Sequence, residues 1–136
     1  DGANVEIHEA VGDDNIIIFG MLTPEVDALR GKGYHPRDFY NSNPRIKAAV
    51  DFIRGNICGT EFGALADNLL SSDYYMALAD FDSYCAAQEK ASRLYNDRPV
   101  WNKMSLANIA GAGRFSIDRL VDDYARDIWG LTRVEE

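Results

Sequence analysis

The stretch GDDNIIIFG, residues 12–20, carries the clearest strand signal in the chain. An uninterrupted β-branched and aromatic run between turn residues favours a short strand buried on both faces, as in a parallel sheet. Before it, Ala3 to Val11 is predicted to be helical, with Asp1 or Gly2 near its cap. After it, Thr23-Pro24-Glu25 predicts a helix start with Thr23 as the cap, because Pro fits the first turn and Glu favours the positive end of the helix dipole. The order helix, strand, helix indicates an α/β protein.

A single strand cannot form a sheet, because its N–H and C=O groups need neighbouring strands as partners. We therefore expect the other strands to belong to chain missing from this sequence, or to a second copy. Residue 1 is Asp rather than Met, and no signal or transit peptide follows it, which favours a piece of a larger protein.

The rest of the chain predicts helices. A stripe of Ile46, Ala49, Val50 and Ile53 indicates a helix that begins at Asn43-Pro44 and stops at Gly55. Further helices are expected over 64–70, from Asp80, from Asp97 or Arg98, and from Ser116 to Gly130, with a loop over 56–63. In all we expect about seven helices, so the fold class is mainly α with one or two short strands. We divide the chain into an α/β part, residues 1–33, and a helical part, residues 34–136.

Composition limits the possible partners. The length of 136 residues suits one domain, and a hydrophobic content of 46% argues against disorder. No apolar run approaches the roughly 18 residues of a membrane helix. The formal net charge of -8, without any block of Lys and Arg, argues against nucleic acid and anionic membranes as partners.

The cysteines and histidines are few and scattered. Cys58 and Cys85 could form a disulfide or bind a metal, but so few cysteines favour two buried thiols in a reducing compartment, and we expect a cytoplasmic protein. His8 and His35 lie apart from each other and from the cysteines, so no zinc site is expected. Glu6, His8 and Glu9 are interpreted as surface residues, since side chains two apart diverge on a helix.

A glycine-rich turn, Gly111-Ala112-Gly113-Arg114, precedes the last helix and suggests a phosphate site at a helix N-terminus. It lacks a Walker lysine and follows a helix rather than a strand, which favours a plain turn with a solvated Arg. The acidic pairs are explained better by turns, caps and solvated faces than by acid–base chemistry. These pairs are Asp13-Asp14, Asp122-Asp123, and Asp80 with Asp82.

The chain has seven tyrosines, six phenylalanines and two tryptophans, enough for a sugar-stacking platform. Most of them fall on helical stripes, which favours core packing instead. The residues by themselves therefore predict an acidic, mostly helical piece of an α/β protein with no self-contained catalytic site.

A series of short segments occurs in the order of one known family. The segments are DGANVEI (1–7), VGDDN (11–15), IFGM (18–21), GY (33–34), PR (36–37) with Tyr40, DYYM (73–76), ADFDSY (79–84), QEK (88–90), Trp101 with Met104, NIA (108–110), RFS (114–116), YAR (124–126) and IW (128–129). In this order the chain resembles the C-terminal end of the α-glucan phosphorylases, the glycogen, starch and maltodextrin phosphorylase family.

The resemblance implies a parent protein with two Rossmann-like domains in the α/β GT-B arrangement, of which this chain is the C-terminal segment of the cofactor domain. Such enzymes use orthophosphate to cleave the terminal α-1,4 bond of a glucan and release glucose 1-phosphate. Pyridoxal phosphate is held on a lysine as a Schiff base, and its phosphate group assists proton transfer. The implied partners are the α-glucan, orthophosphate and the remainder of the phosphorylase chain.

The resemblance assigns no catalytic, cofactor-binding or metal-binding residue to this chain. In the family, the cofactor lysine lies in a glycine-rich motif upstream of Asp1, as do the phosphate- and sugar-binding residues. Lys32, Lys47, Lys90 and Lys103 match no cofactor position. We therefore expect this chain alone to be inactive and to bind no pyridoxal phosphate.

The last helix, Ser116 to Trp129, has the cleanest apolar stripe in the chain. The stripe comprises Ile117, Leu120, Val121, Tyr124 and Ile128. By resemblance this helix crosses back towards the N-terminal domain, so we expect the stripe to be exposed in the isolated chain and to drive self-association. The alternative is a non-enzymatic helical module that binds a protein partner through the stripe.

Overall fold

A computed structural model describes residues 2–132, which are largely helical. The eight α-helices are α1 (Gly2–Val11), α2 (Thr23–Lys32), α3 (Pro36–Ser42), α4 (Pro44–Arg54), α5 (Gly63–Ser71), α6 (Ala77–Asn96), α7 (Arg98–Gly111) and α8 (Ile117–Tyr124). Two short strands, β1 (Asn56–Ile57) and β2 (Thr60–Glu61), form one antiparallel pair. The prediction of a mainly α chain with one or two short strands is confirmed. Asp1, proposed as a cap of α1, lies outside the described residues.

The chain forms two compact units, which we name the middle unit, residues 18–89, and the terminal unit, residues 1–17 with 90–136. Our division at residue 33 came from the sequence pattern and stays a prediction.

The core of the middle unit is aliphatic. Its buried cluster consists of Ile46, Val50, Ala66, Leu70 and Leu78. Asn43 caps α4 by accepting hydrogen bonds from the backbone N–H groups of Arg45 and Ile46, as the pattern Asn43-Pro44 predicts. The apolar stripe of α4 and its stop at Gly55 are therefore confirmed.

A tight hairpin replaces part of the loop predicted over 56–63. Cys58 and Gly59 connect β1 to β2, and both have positive φ angles, 52° and 84°. This is the geometry of a two-residue type I′ turn, which usually carries Asn-Gly or Asp-Gly. Because Cys58 occupies the first turn position, the sequence lacks the Asn-Gly or Asp-Gly pair that would have predicted a hairpin.

The prediction of a strand over 15–19 is wrong, because the structure has no assigned strand at these residues. Asp13–Asn15 forms a 3₁₀ turn, and the backbone extends from Ile16, with φ −133° and ψ 151°. No strand within residues 2–132 pairs with residues 16–19, so these residues form no ladder. The physical reason is the lack of a partner, because a strand is defined by hydrogen bonds to its neighbours.

Two predicted helix caps are also wrong. Helix α6 begins at Ala77, so Asp80 lies inside its first turn instead of capping it. The N-cap position of α2 is Leu22 rather than Thr23, and Glu25 accepts a hydrogen bond from the Leu22 N–H at 2.7 Å. At α2 the accepting carboxylate is that of Glu25, the residue that the sequence pattern places in the first turn.

In the terminal unit, α1 packs against α7 through a close approach at Gly111. A Cβ at this position would lie 3.0 Å from Cγ1 of Val11 and 3.4 Å from the carbonyl oxygen of Ala10. Gly111 therefore serves helix packing. Asp97 caps α7, and Asn108 donates hydrogen bonds to the carbonyl oxygens of Asn15 and Met104.

Helix α8 begins where the sequence predicts, since the Ser116 side chain accepts a hydrogen bond from the Arg119 N–H. The helix then widens into a π turn, Ala125–Trp129, and ends at Gly130 with a left-handed φ of 62°. The predicted stop at Gly130 is confirmed. None of the helices in residues 2–132 has the length and apolarity needed to cross a membrane.

Candidate functional site

Asp73 is the one buried acidic side chain among the described residues, with 4% of its surface exposed. Its Oδ2 atom accepts a hydrogen bond from the Tyr34 hydroxyl at 2.5 Å and another from the Leu78 N–H at 2.9 Å. Its Oδ1 atom accepts from the Ala77 N–H at 2.9 Å. A carboxylate therefore satisfies the first N–H groups of α6, where the helix dipole favours negative charge. Sequence reasoning missed this role because three residues separate Asp73 from α6.

Tyr34 is coupled to this carboxylate. Burial raises the pKa of the Tyr34 hydroxyl well above its ordinary value of 10.0, and the hydrogen bond to Asp73 raises that pKa further. Deprotonation of Tyr34 in the folded chain would place two negative charges side by side, which explains the direction of the shift.

The raised pKa of Tyr34 predicts how stability depends on pH. Above pH 10.0 the unfolded chain loses this proton while the folded chain keeps it, so the contribution of Tyr34 is complete below that pH and is lost as pH rises. We expect Tyr34→Phe to flatten the alkaline fall in the free energy of unfolding, measured by urea denaturation at increasing pH. The control is Tyr84→Phe, which changes an exposed ring and should leave the alkaline fall in the free energy of unfolding unchanged. Equal alkaline slopes for Tyr34→Phe and the unmodified chain would contradict the coupling.

The glycine-rich turn proposed as an anion site contains a paired arginine. Nη1 of Arg114 lies 3.8 Å from Oε2 of Glu9, and both side chains are exposed. A carboxylate near the guanidinium competes with any added anion. Since Gly111 is explained by helix packing, the phosphate site stays a prediction that a phosphate titration with an Arg114→Ala control can test.

Four residues of the acidic pairs make local contacts. Asp13 is hydrogen-bonded to His8, and Oδ1 of Asp80 accepts from the Met21 N–H at 2.9 Å. Asp82 accepts from the Asn43 amide at 2.7 Å, and Asp123 pairs with Arg126. Within residues 2–132, no three His, Cys, Asp or Glu side chains converge as metal ligands would.

Two predictions about side-chain burial are wrong. Cys58 is exposed at the hairpin turn rather than buried, and Cys85 is intermediate; both are free thiols. The described core contains aliphatic side chains and methionines but no fully buried aromatic ring. The space between α4, α5 and the start of α6 is filled by smaller side chains, and rings such as Phe39 and Phe81 pack around its edge.

Lys47 does not suit a Schiff-base role. Its ammonium group donates to the Tyr40 hydroxyl at 2.7 Å and to Asp51 at 3.0 Å, and these hydrogen bonds raise the pKa of Lys47. A lysine that forms a Schiff base needs the opposite shift, because only the neutral amine is nucleophilic. Lys32, Lys90 and Lys103 lie exposed on helices.

The apolar stripe of the last helix is exposed along its whole length. We name the stripe the α8 face, and its residues are Ile117, Leu120, Val121, Tyr124 and Ile128. Among the described residues of the terminal unit, Met104 is the single buried side chain. The exposure predicted for the stripe is therefore confirmed, and it gives the terminal unit a contiguous apolar patch.

A second apolar feature of the terminal unit is a cleft of about 340 Å³ beside the extended segment. Ile16, Ile17, Trp101 and Met104 supply its apolar walls. The described residues of this unit thus present two apolar surfaces, the α8 face and this cleft.

Known proteins are similar in sequence to this chain over nearly all of its length. Residues 1–131 match the carbohydrate phosphorylase family model. The chain is 41% identical to a glycogen phosphorylase of Synechocystis sp., and the match covers 98% of this chain and 16% of that relative. It is 42% identical to the liver form from Ovis aries and 39% identical to the brain form from Mus musculus, each over 96% of this chain and 16% of the relative. The chain belongs to the carbohydrate phosphorylase family.

Proposed function

We propose that this chain is the C-terminal section of an α-glucan phosphorylase. The supporting observation is the 41% identity over 98% of the chain, combined with coverage of only 16% of the relative. The complete protein would use orthophosphate to cleave terminal α-1,4 bonds of a glucan and release glucose 1-phosphate. Pyridoxal phosphate, bound upstream of Asp1, would supply a phosphate group that exchanges protons with orthophosphate.

The role of the chain itself is structural in this proposal. Asp73 orders the start of α6, and the caps at Asn43, Asp97 and Ser116 order three further helices. The α8 face then packs on the remainder of the phosphorylase chain. Burial of five apolar side chains would stabilise that contact, since each Val, Leu or Ile contributes roughly 1.5–3 kcal/mol when fully buried.

This role explains why the described part of the terminal unit has only one buried side chain. A unit of this size cannot balance its conformational entropy with so little buried apolar surface, so it needs a partner surface. In the proposed cytoplasmic enzyme the partner is the rest of the same chain, and in the isolated chain it is a second copy.

The proposal predicts a clear division of activity. The protein expressed from the complete reading frame should release glucose 1-phosphate from a linear α-1,4-glucan in the presence of orthophosphate, and the 136-residue chain should not. The complete protein should also show the absorption band of a pyridoxal phosphate Schiff base that borohydride reduces. Phosphorolysis by the isolated chain, or a Schiff base on one of its lysines, would refute the assignment.

The exposed α8 face also supports the non-enzymatic interaction module as an alternative. The reading frame upstream of Asp1 separates the two hypotheses. A glycine-rich, lysine-containing motif there supports the enzyme, and a native protein that is processed to begin at Asp1 supports the module.

A further inference from the structure

An aromatic cleft of about 400 Å³ lies beside the start of α6 in the middle unit. The rings of Phe19, Tyr75, Phe81 and Tyr84 line it. Among the described lining residues, Asp80 alone carries a charge. The volume falls in the range of roughly 300–1,000 Å³ that is typical of small-molecule sites, so the cleft is large enough for a ligand.

The aromatic wall is held in place by contacts within the middle unit. Phe19 and Tyr84 meet edge to face, with ring centroids 5.2 Å apart and an interplanar angle of 68°. The backbone that carries Phe19 is anchored to α6, because the Gly20 N–H donates a hydrogen bond to the Ser83 hydroxyl at 3.0 Å. Phe81 packs against the buried aliphatic cluster. These rings are therefore positioned before any ligand arrives, which lowers the entropy cost of binding.

The carboxylate of Asp80 forms no ion pair within residues 2–132. Its side chain is half-buried, and its Oδ1 atom accepts a hydrogen bond from the Met21 N–H at 2.9 Å. Asp82 on the same helix differs, because Nη1 of Arg45 lies 4.0 Å from its Oδ1 atom. The cleft thus presents a negative charge beside its rings, and the net charge of -8 adds to the attraction for cations.

Rings and a carboxylate together suit an organic cation. The faces of aromatic rings attract positive charge, and groups of such rings recognise quaternary ammonium ligands. A guanidinium would pair best with both carboxylate oxygens, but Oδ1 of Asp80 is already engaged by Met21. A hard metal cation would need several oxygen ligands, and no three His, Cys, Asp or Glu side chains of residues 2–132 converge. A quaternary ammonium group has no N–H to satisfy, so it fits this lining best.

We propose that the cleft binds a small quaternary ammonium ion, with Asp80 as the opposite charge and the rings of Phe19, Phe81 and Tyr84 in contact with its N-methyl groups. The site lies wholly within the middle unit. It is independent of the proposed glucan chemistry, because neither the rings nor Asp80 were assigned a role in it.

The test titrates choline chloride, as the probe, into the complete protein that contains this chain. Isothermal titration calorimetry at constant ionic strength measures the Kd. The comparison ligand is 3,3-dimethyl-1-butanol, which has the shape of choline but carries no charge. We expect saturable binding of choline and at least about tenfold weaker binding of the neutral analogue, since the attraction of the rings and of Asp80 depends on the charge.

Two variants assign the binding to this cleft. Asp80→Asn removes the charge and keeps an oxygen that can accept from the Met21 N–H, and it should raise the Kd for choline by about tenfold. Tyr84→Ala removes one ring and should raise the Kd by a similar factor, about tenfold.

Each variant has a matched control. Asp82→Asn removes a carboxylate from the same helix that lines a different cleft, and it should leave the Kd unchanged. Tyr84→Phe keeps the ring and should retain most of the binding. If Asp80→Asn bound choline as tightly as the unmodified protein, the proposal would be overturned.

Saturation-transfer NMR on the unmodified complete protein does not depend on the folding of a variant. Irradiation of the aromatic protons should reduce the signal of the choline N-methyl protons, and excess unlabelled tetramethylammonium should restore that signal by competition. Absence of saturable choline binding, as when the remainder of the protein covers the cleft, would refute the site. Equal affinity for choline and its neutral analogue would refute it as well, because the cleft would then bind shape rather than charge.

Discussion

Replacement of Asp73 by alanine should lower the free energy of unfolding by roughly 3 kcal/mol or more, since a hydrogen bond to a charged group contributes about 1.5–3 kcal/mol and several are lost together. The substitution removes three hydrogen bonds and leaves the Tyr34 hydroxyl and the N–H groups of Ala77 and Leu78 without their acceptor. Buried donors without acceptors carry the full cost of desolvation. Urea denaturation followed by circular dichroism measures this loss.

Two further variants separate the causes of this effect. Asp73→Asn keeps the side-chain shape and tolerates the left-handed backbone, but its NH2 group replaces one of the two accepting oxygens. Its loss therefore reports the charge together with at least one missing acceptor. Asp82→Ala removes an exposed carboxylate that accepts one hydrogen bond from Asn43, and it should cost less than about 1 kcal/mol. If Asp73→Ala were as stable as Asp82→Ala, the carboxylate would not be the group that orders the start of α6.

Two negative charges placed on the α8 face should abolish self-association of the isolated chain. Leu120→Asp/Val121→Asp removes two of the five apolar side chains that we propose to be buried in the contact. Burial of a Val or Leu contributes roughly 1.5–3 kcal/mol, so the association constant should fall by about 100-fold or more. Sedimentation velocity over a series of concentrations measures the change.

The matched control for this experiment is Leu106→Asp/Ile109→Asp, which places two charges on exposed positions of α7. It should leave association largely intact. In the complete protein, Leu120→Asp/Val121→Asp should lower the Tm, because the face would then be buried against the remainder of the chain. A monomeric unmodified chain at every concentration would show that the α8 face needs no partner.

The elements that the sequence predicts well are those with local signals. Helix α4 has an N-terminal Asn-Pro pair, a regular stripe and a terminal glycine, and each of these acts within a few residues. The same holds for Asp97 before α7 and for Ser116 before α8. Helix α3 was missed because its seven residues contain no complete apolar stripe.

The errors arise where the decisive partner is distant in sequence or outside this chain. The role of Asp73 depends on its hydrogen bonds to Tyr34, which lies 39 residues earlier, and to the first N–H groups of α6. These contacts are visible in the structure but not in the local sequence. The extended residues 16–19 have the composition of a strand, but pairing depends on a neighbour that residues 2–132 do not provide. The turn that exposes Tyr74 and Tyr75 was not predicted, because hydrophobic periodicity does not report a left-handed turn.

The hairpin between α4 and α5 gives the middle unit a chemical handle. Its turn exposes the thiol of Cys58, whereas Cys85 is less accessible on α6. A maleimide dye added in limiting amount would therefore label one defined position, at a turn that contributes nothing to the buried cluster. Energy transfer between donor- and acceptor-labelled molecules could then report assembly in real time without any substitution in the chain.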